Sequence, residues 1–387
     1  MAPSSCHNIN IYVNKNRQIC MFKITGDKVK DEEIIKKRKI DHIEICLNEN
    51  VNSNHNYWDD IHLMHKALPE INKKDISTKI DFFGKKLDYP IFIAAMSGGH
   101  SKSKILNENC AKVASELGIG FCLGSQRAML ETPESLESYS VVKDYDIPFV
   151  MADIGGTQLI QQKNRLPFKL EQIQKTMDVV NADALTIFLN LPQELIQPEG
   201  DDNSAGILES IEKLSENFTI NVKECGSGIT KEVALLLKGA GVKSIEVSGV
   251  SGTSWTAVES YRARKINNVE KENLGKIFWN WGIPSPLSVQ ECRSVGRDMK
   301  IIGSGGIRNG LDVAKSIAVG ADAASLARTL LPYAMESSDS LANKIKNITE
   351  ELKMAMLLVG AKNIEELKKS KYVLTGKAYE WKQQRLG

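Results

Sequence analysis

Between residues 89 and 328, apolar runs of strand length alternate with stretches whose apolar positions recur at helical spacing. Eight runs read as strands: 90–95, 120–124, 148–154, 184–189, 219–224, 244–248, 300–304 and 323–327. Several are apolar at nearly every position, as in parallel strands covered on both faces, where the two-residue alternation of a one-sided sheet is lost. Helices are predicted between them over 104–117, 133–142, 169–180, 204–216, 231–239, 286–295 and 309–319. Regular βα alternation places the chain in the α/β class with a parallel sheet. Both a (β/α)8 (TIM) barrel and an open doubly wound sheet produce it; eight units within the usual barrel length favour the closed form.

Residues 299–328 sharpen that choice. The run Ile301-Ile302 stops at Ser304-Gly305-Gly306, a helix follows from Asn309, and a second apolar run ends at Ala327. Glycines let the backbone approach a ligand closely, and a helix start offers free N–H groups to an anion. Two such turns, 304–308 and 326–329, match the phosphate cradle after the last two strands of a barrel. Glycines alone also fit a plain strand-to-helix turn. A barrel carries its chemistry at the strand C-termini. Here these read Met96-Ser97-Gly98-Gly99, Gly124-Ser125-Gln126-Arg127, Asp153-Ile154-Gly155-Gly156, Leu189-Asn190, Lys223-Glu224-Cys225-Gly226, Ser248-Gly249 and Gly305-Gly306. Glycine with small polar residues suits a mouth for a flat polar ligand.

Outside the repeating part, residues 1–35 are rich in Asn and Lys and read as an N-terminal extension, leaving 36–387 as the barrel domain. A helix is predicted from Asp31 into Lys37–His42, and a strand over 76–83. The 387 residues carry a net charge of +2 with 42% hydrophobic and 25% charged side chains, which gives no basis for nucleic-acid binding. Seven dispersed cysteines without a C-x-x-C pair suggest neither zinc nor a disulfide framework. No run reaches the roughly 18 apolar residues of a membrane span, and 1–18 lacks the apolar core of a secretory leader. The expectation is a cytoplasmic protein without a membrane span.

Individual residues carry more. Lys223 follows the apolar part of its strand, and an ammonium there needs a partner: Glu224, Glu246 or an electron-rich ligand. Asn190, Gln193 and Glu194 lie together in LNLPQE, stiffened by Pro192; the amides suit a substrate and the carboxylate a divalent cation, unless they only cap the next helix. All six histidines lie within the first 100 residues, so strand ends from the second onward have no histidine base.

RKIDHI, MSGGH, GSQRA, ADIGGTQL, LNLPQE, QPEGD, VKECGSGIT, SGTSW, WGIPSP and GSGGIRNGLDVAKSIAVGAD, in this order from about Lys37 to Trp381, resemble the type 2, FMN-dependent isopentenyl-diphosphate isomerases. The resemblance implies a (β/α)8 barrel, often a homo-oligomer, that interconverts isopentenyl and dimethylallyl diphosphate. It implies reduced FMN as acid and base, Mg2+, and NADPH as the usual reductant. By the same resemblance Ala95, Met96, Ser97, Ser125, Asp153, Lys223, Ser248 and Thr253 contact the flavin, and Gly305, Gly306, Ile307, Arg308, Ala327 and Arg328 hold its phosphate. Arg38, Lys39, His42, Arg127, Asn190 and Gln193 bind the substrate, Gln193 and Lys223 are catalytic, and Glu194 holds Mg2+. The alternative is an FMN-binding barrel oxidoreductase or an altered paralogue with another substrate.

The chain departs from that family at a few positions. Phe188 stands where the family has a histidine, and cannot donate a hydrogen bond. Asp153 stands where it has asparagine, and a carboxylate near flavin and diphosphate repels both unless protonated or paired. Ser251 replaces a glycine, a change that matters if φ is positive there. These differences predict retained FMN binding with weakened diphosphate affinity. Isomerase assays of a Phe188→His/Asp153→Asn double variant should show a lower KM than the parent; equal values would remove the concern.

Overall fold

The apolar runs become eight parallel strands that close on themselves. The computed structural model describes residues 37–163 and 165–386; the predicted extension 1–35 and the predicted helix start at Asp31 lie outside the described residues. In chain order the strands are β1 (Ile91–Ile93), β2 (Gly120–Cys122), β3 (Phe149–Gly155), β4 (Ala184–Leu189), β5 (Ile220–Glu224), β6 (Ser244–Ser248), β7 (Lys300–Ser304) and β8 (Ala323–Leu326). Each pairs with the next, and β8 returns to β1 with Ala324 opposite Ile91 and Leu326 opposite Ile93. The fold is therefore the (β/α)8 barrel and not the open sheet.

Alternation along the strands sorts side chains between two cores. Leu185, Ile187, Ile220, Val222, Ile245 and Val247 face outward into the layer shared with the helices. Phe92, Phe149, Met151, Ala184, Ile302 and Ala323 face inward and, with Phe82 and Leu87, fill the N-terminal end. Phe82 and Leu87 come from a hairpin (Ile80–Phe82 with Lys85–Leu87) that plugs the barrel. The Phe82 ring meets Phe92 and Phe149 edge to face, with centroids 5.0 and 5.1 Å away. Gly120 makes this possible, because a Cβ there would lie 2.1 Å from the Phe92 ring.

Toward the C-terminal end the interior turns polar. Asn221 donates to Thr186 Oγ1 (3.1 Å) and accepts from Ser244 Oγ (2.8 Å). Above them Asp153, Lys223 and Glu246 project inward, all buried. Burying charge is unfavourable without partners, so the fold concentrates its electrostatic cost at this end.

Six of the seven predicted helices form close to their expected bounds. The helix predicted over 133–142 does not; the chain breaks into Arg127–Glu131, Pro133–Ser135, Glu137–Ser140 and Val141–Asp144. The short pieces wrap the loop after β1: Gly99 N donates to Ser138 Oγ (2.8 Å), and Ser135 Oγ donates to Gly99 O (3.2 Å). The strand predicted over 76–83 shortens to Ile80–Phe82. Trp255–Lys265, Val269–Ile277 and the long Ser338–Val359 are among the helices with no counterpart in the sequence reading. Ahead of the barrel, Ile61–Leu63 pairs antiparallel with Tyr372–Leu374, so residues 49–63 are strapped between the barrel mouth and the C-terminal segment.

Phe82→Ala should cost roughly 3–5 kcal/mol, the range for truncating a buried phenylalanine. Urea unfolding of the variant beside the parent measures it.

Candidate active site

A cavity of about 700 Å³ opens at the C-terminal ends of the strands. One wall is the turn after β7, where Gly305 and Gly306 have φ of +74° and +86°. A Cβ on Gly306 would lie 2.3 Å from Ser251 O, so this wall admits only glycine. Trp58 Nε1 donates to Gly305 O and Asn56 Nδ2 to Gly306 O, each at 2.8 Å. In a trans peptide the N–H points opposite to the C=O. The amides of Gly306 and Ile307 are thus turned away from the strap, toward the cavity that both residues line. Thr329 Oγ1 donates to Ile307 O (2.7 Å) and ties the turn after β8 to the turn after β7.

The two arginines expected at this cradle already have partners. Arg308 pairs with Asp59 and, through Nε at 2.8 Å, with Asp312. Arg328 donates to Cys46 O (2.7 Å), Glu49 O (3.1 Å) and Asn52 Oδ1, so its guanidinium secures the strap. Ser251 is not among the residues at positive φ, so serine there carries no backbone strain.

Of the residues assigned to a flavin by resemblance, Ala95, Met96, Lys223, Ser248 and Thr253 line the cavity with Ala327 and the 305–308 turn. Ser97, Ser125 and Asp153 lie behind this wall. Ser97 Oγ contacts His100 Nε2 (3.2 Å), and the Ser125 carbonyl accepts from Lys39 Nζ (2.9 Å) and Tyr139 Oη (2.6 Å). Lys223 does not pair with Glu224, whose carboxylate accepts the amides of Gly226 (2.6 Å), Ser227 and Gly228 (2.9 Å). Lys223 faces Asp153 Oδ2 at 4.0 Å instead. Burial opposes its charge, yet Glu246 and Asp153 outweigh that and raise its pKa.

A polar rim stands beside the cavity, built by the helix 37–48, the loops after β2 and β4, and the helix Trp255–Lys265. Its centre is Glu259, fully buried. Glu259 Oε1 contacts His42 Nε2 (2.7 Å) and accepts from Gln193 Nε2 (3.0 Å), while Oε2 accepts from Arg262 (2.6 Å). Burial alone would raise this carboxyl; the His42 ring and Arg262 outweigh it and hold it at about 2. Asn190 Nδ2 donates to Gln193 Oε1 (3.1 Å) and Glu194 Oε1 (3.0 Å), so the Gln193 amide is held at both ends. Asn190 and Gln193 also line a small cleft with Trp255 and Trp281. Arg38 lies 3.9 Å from Glu199, and Arg127 bonds Glu131 (2.9 Å) and approaches Asp201 (3.6 Å). Burial, then Arg38, lowers the Lys39 ammonium to about 7.

Phe188 is half-buried opposite Gly155 on one side and Lys223 on the other, so its ring faces the barrel mouth. The sequence reading missed Glu259, Tyr139 and the strap residues Asn56 and Trp58. It named Glu246 only as a partner for Lys223. The inward alternation of Ser244, Glu246 and Ser248 was the signal for Glu246; nothing in the sequence marked the others.

The fold and the position of the cavity define a parallel barrel with its site at the strand C-termini. The sequence model described as FMN-dependent dehydrogenase matches residues 32–138 and 282–374. The fold is similar to a mandelate oxidase bound to (S)-mandelic acid (TM-score 0.59, 17% identity, 88% of this chain and 94% of that one). It is also similar to a lactate oxidase from Pediococcus acidilactici (TM-score 0.58, 19% identity, 82% and 84%). Much closer in sequence are the isopentenyl-diphosphate delta-isomerases of Thermoplasma acidophilum (47% identity, 90% of this chain and 99% of the relative) and Thermoplasma volcanium (45%, 90% and 99%). That of Methanocaldococcus jannaschii is 42% identical over 92% and 99%. At this identity and coverage, the chain belongs to the isopentenyl-diphosphate delta-isomerase family.

Glu259→Ala should remove a buried carboxylate shared by His42, Gln193 and Arg262 and cost about 3–5 kcal/mol. The folded carboxyl titrates at about 2 against an ordinary 4.5. Its stabilisation is therefore complete above 4.5 and lost as pH falls toward 2. Unfolding of parent and variant across this range should show the stability gap narrowing in acid.

Proposed function

We propose that this chain interconverts isopentenyl diphosphate and dimethylallyl diphosphate with FMN, Mg2+ on the diphosphate, and NADPH as reductant. The observation that carries this reading is the juxtaposition of two anion-receptive regions: the glycine cradle inside the cavity and the Arg38, Lys39 and Arg127 rim beside it. Family membership supplies the substrate class.

The residues present fit FMN. The Gly305-Gly306 turn would be filled by a Cβ, and Lys223 stands at the floor with two buried carboxyl oxygens, Asp153 Oδ2 and Glu246 Oε2, lacking partners among the described residues. Gly305 to Arg308, with Ala327 and Arg328, would hold the phosphate through backbone amides. Ala95, Met96, Lys223, Ser248 and Thr253 would surround the ring system, with Ser97, Ser125 and Asp153 behind them. Reduced FMN, when bound, supplies the acid and base for allylic proton transfer.

This chain's own groups then bind and orient. Arg38, Lys39, His42 and Arg127 take the diphosphate, where charge-assisted hydrogen bonds are strongest. Asn190 and Glu259 lock the Gln193 amide, which sets its face toward the isoprenoid double bond. Trp255, shared by the cavity and the small cleft, provides an apolar surface between them. Lys223 offsets negative charge at the floor. Glu194 would be the single protein carboxylate on Mg2+, with phosphate oxygens and waters completing the shell.

The alternative, an FMN-binding barrel oxidoreductase or altered paralogue, draws on the fold likeness to the two oxidases. Against it, the strand ends from β2 to β8 offer no histidine base. A homo-oligomer is part of the proposal, supported by exposed Ile277, Phe278 and Trp281 on one segment. A cytoplasmic setting is proposed as well; no helix of the described residues is long and apolar enough to cross a membrane.

Labelled isopentenyl diphosphate incubated with the protein, FMN, Mg2+ and NADPH or dithionite should give the dimethylallyl isomer, with Gln193→Ala losing turnover. Absence of product from FMN-loaded, reduced protein would refute the proposal. Lys39 carries its proton below about 7, so KM for the diphosphate should rise between pH 6 and 8. Lys39→Met should flatten that profile and raise KM about tenfold or more, the worth of a charge-assisted hydrogen bond.

A further inference from the structure

Three charged side chains converge beneath the cavity from three strands: Asp153 on β3, Lys223 on β5 and Glu246 on β6, exposed by 2%, 8% and 0%. Two carboxyls thus share one ammonium in a closed interior. The Lys223–Asp153 separation of 4.0 Å exceeds hydrogen-bond reach. Glu246 Oε1 accepts a hydrogen bond from Ser325 Oγ (2.6 Å), whereas Asp153 Oδ2 has no partner among the described residues. A carboxylate that receives a donor holds its charge better than one that does not. Two ionised carboxylates here would leave one buried charge uncompensated, which is costly.

We infer that Asp153 and Glu246 share a single proton around Lys223, that Asp153 carries it, and that Asp153 is therefore a positioning residue setting how much of the Lys223 charge is free to act on the bound cofactor. The inference rests on the proposed FMN site. With Asp153 neutral, Lys223 and Glu246 balance. With Asp153 ionised, a second negative charge opposes negative charge gained by FMN on reduction. Reduction then draws a proton onto the Asp153 carboxylate from solvent, beyond any taken up by the flavin itself.

The surroundings agree with this assignment. The groups facing Asp153 are Lys223, Glu246 and Lys39 as charged neighbours, with Cys122, Cys225 and Tyr139 from the adjoining segments. Burial pushes the thiols and the phenol up, so they stay neutral near pH 7. Burial likewise raises Asp153 to about 7, against the pull of Lys223 and Lys39 and with the push of Glu246. The sign follows: below about 7 Asp153 is protonated throughout, and above it reduction is coupled to one extra proton.

The test is the midpoint potential of protein-bound FMN from pH 6 to 9, in the parent, Asp153→Asn and Glu246→Gln. In the parent the potential should fall more steeply above pH 7, by one additional proton per flavin reduced. Each substitution leaves one carboxylate facing Lys223 and should remove the extra slope. Glu246→Gln guards against an Asp153 variant that fails to fold. A parent that binds FMN but shows the same slope as both variants overturns this inference alone. A protein that takes up no FMN overturns the proposed cofactor site and this inference with it.

Discussion

Two hydrogen bonds from Trp58 and Asn56 to the carbonyls of Gly305 and Gly306 decide much of what this molecule can do. They hold the turn at positive φ with its amides turned inward, and they anchor the strap that precedes the barrel. Arg328 fastens the same strap from the next turn, and Lys315 Nζ donates to Trp58 O at 2.8 Å. The helix 37–48, which carries Arg38, Lys39 and His42, runs into this strap and is tied to the turn after β8 by Arg328 at Cys46 O. Cradle and rim are thus one mechanical unit, although their residues lie more than 200 positions apart in the chain.

Electrostatics at the mouth follow a second constraint: almost every buried charge is paired with protein. Glu259 gathers His42, Gln193 and Arg262; Glu199 sits between Arg38 and Arg262; Asp201 joins Arg127 and Arg165. Carboxylates hold the basic rim in place without a ligand, at the expense of competing with one. The floor is the exception. There Lys223 faces two carboxyls, each with one oxygen unpartnered among the described residues.

The barrel was legible in the sequence because strands buried on both faces are written as continuous apolar runs, and eight of them fit one closure. The glycine turn after β7 was legible because positive φ with no room for a Cβ selects Gly305 and Gly306. The Trp255–Lys265 helix was not, since its buried face includes Thr256, Glu259, Ser260 and Arg262 and has no apolar stripe to betray it. Glu259 went unseen for that reason. The 133–142 segment misled in the opposite way: its apolar residues imitate a helix, but Tyr139 serves Lys39 and the Ser125 carbonyl, and the backbone bends to deliver it. Arg308 and Arg328 were assigned to the cradle by family resemblance, whereas their carboxylate and strap partners depend on contacts that no local pattern encodes.

The central claim is that the glycine turn holds the phosphate of a flavin mononucleotide. Comparing FMN with riboflavin in absorbance titrations of cofactor-free protein tests it most directly, since the two ligands differ only in that phosphate. The account predicts binding of FMN at least about 100-fold tighter, near 2.7 kcal/mol, with the advantage largely lost in Gly306→Ala. Equal affinities for the two flavins would contradict it.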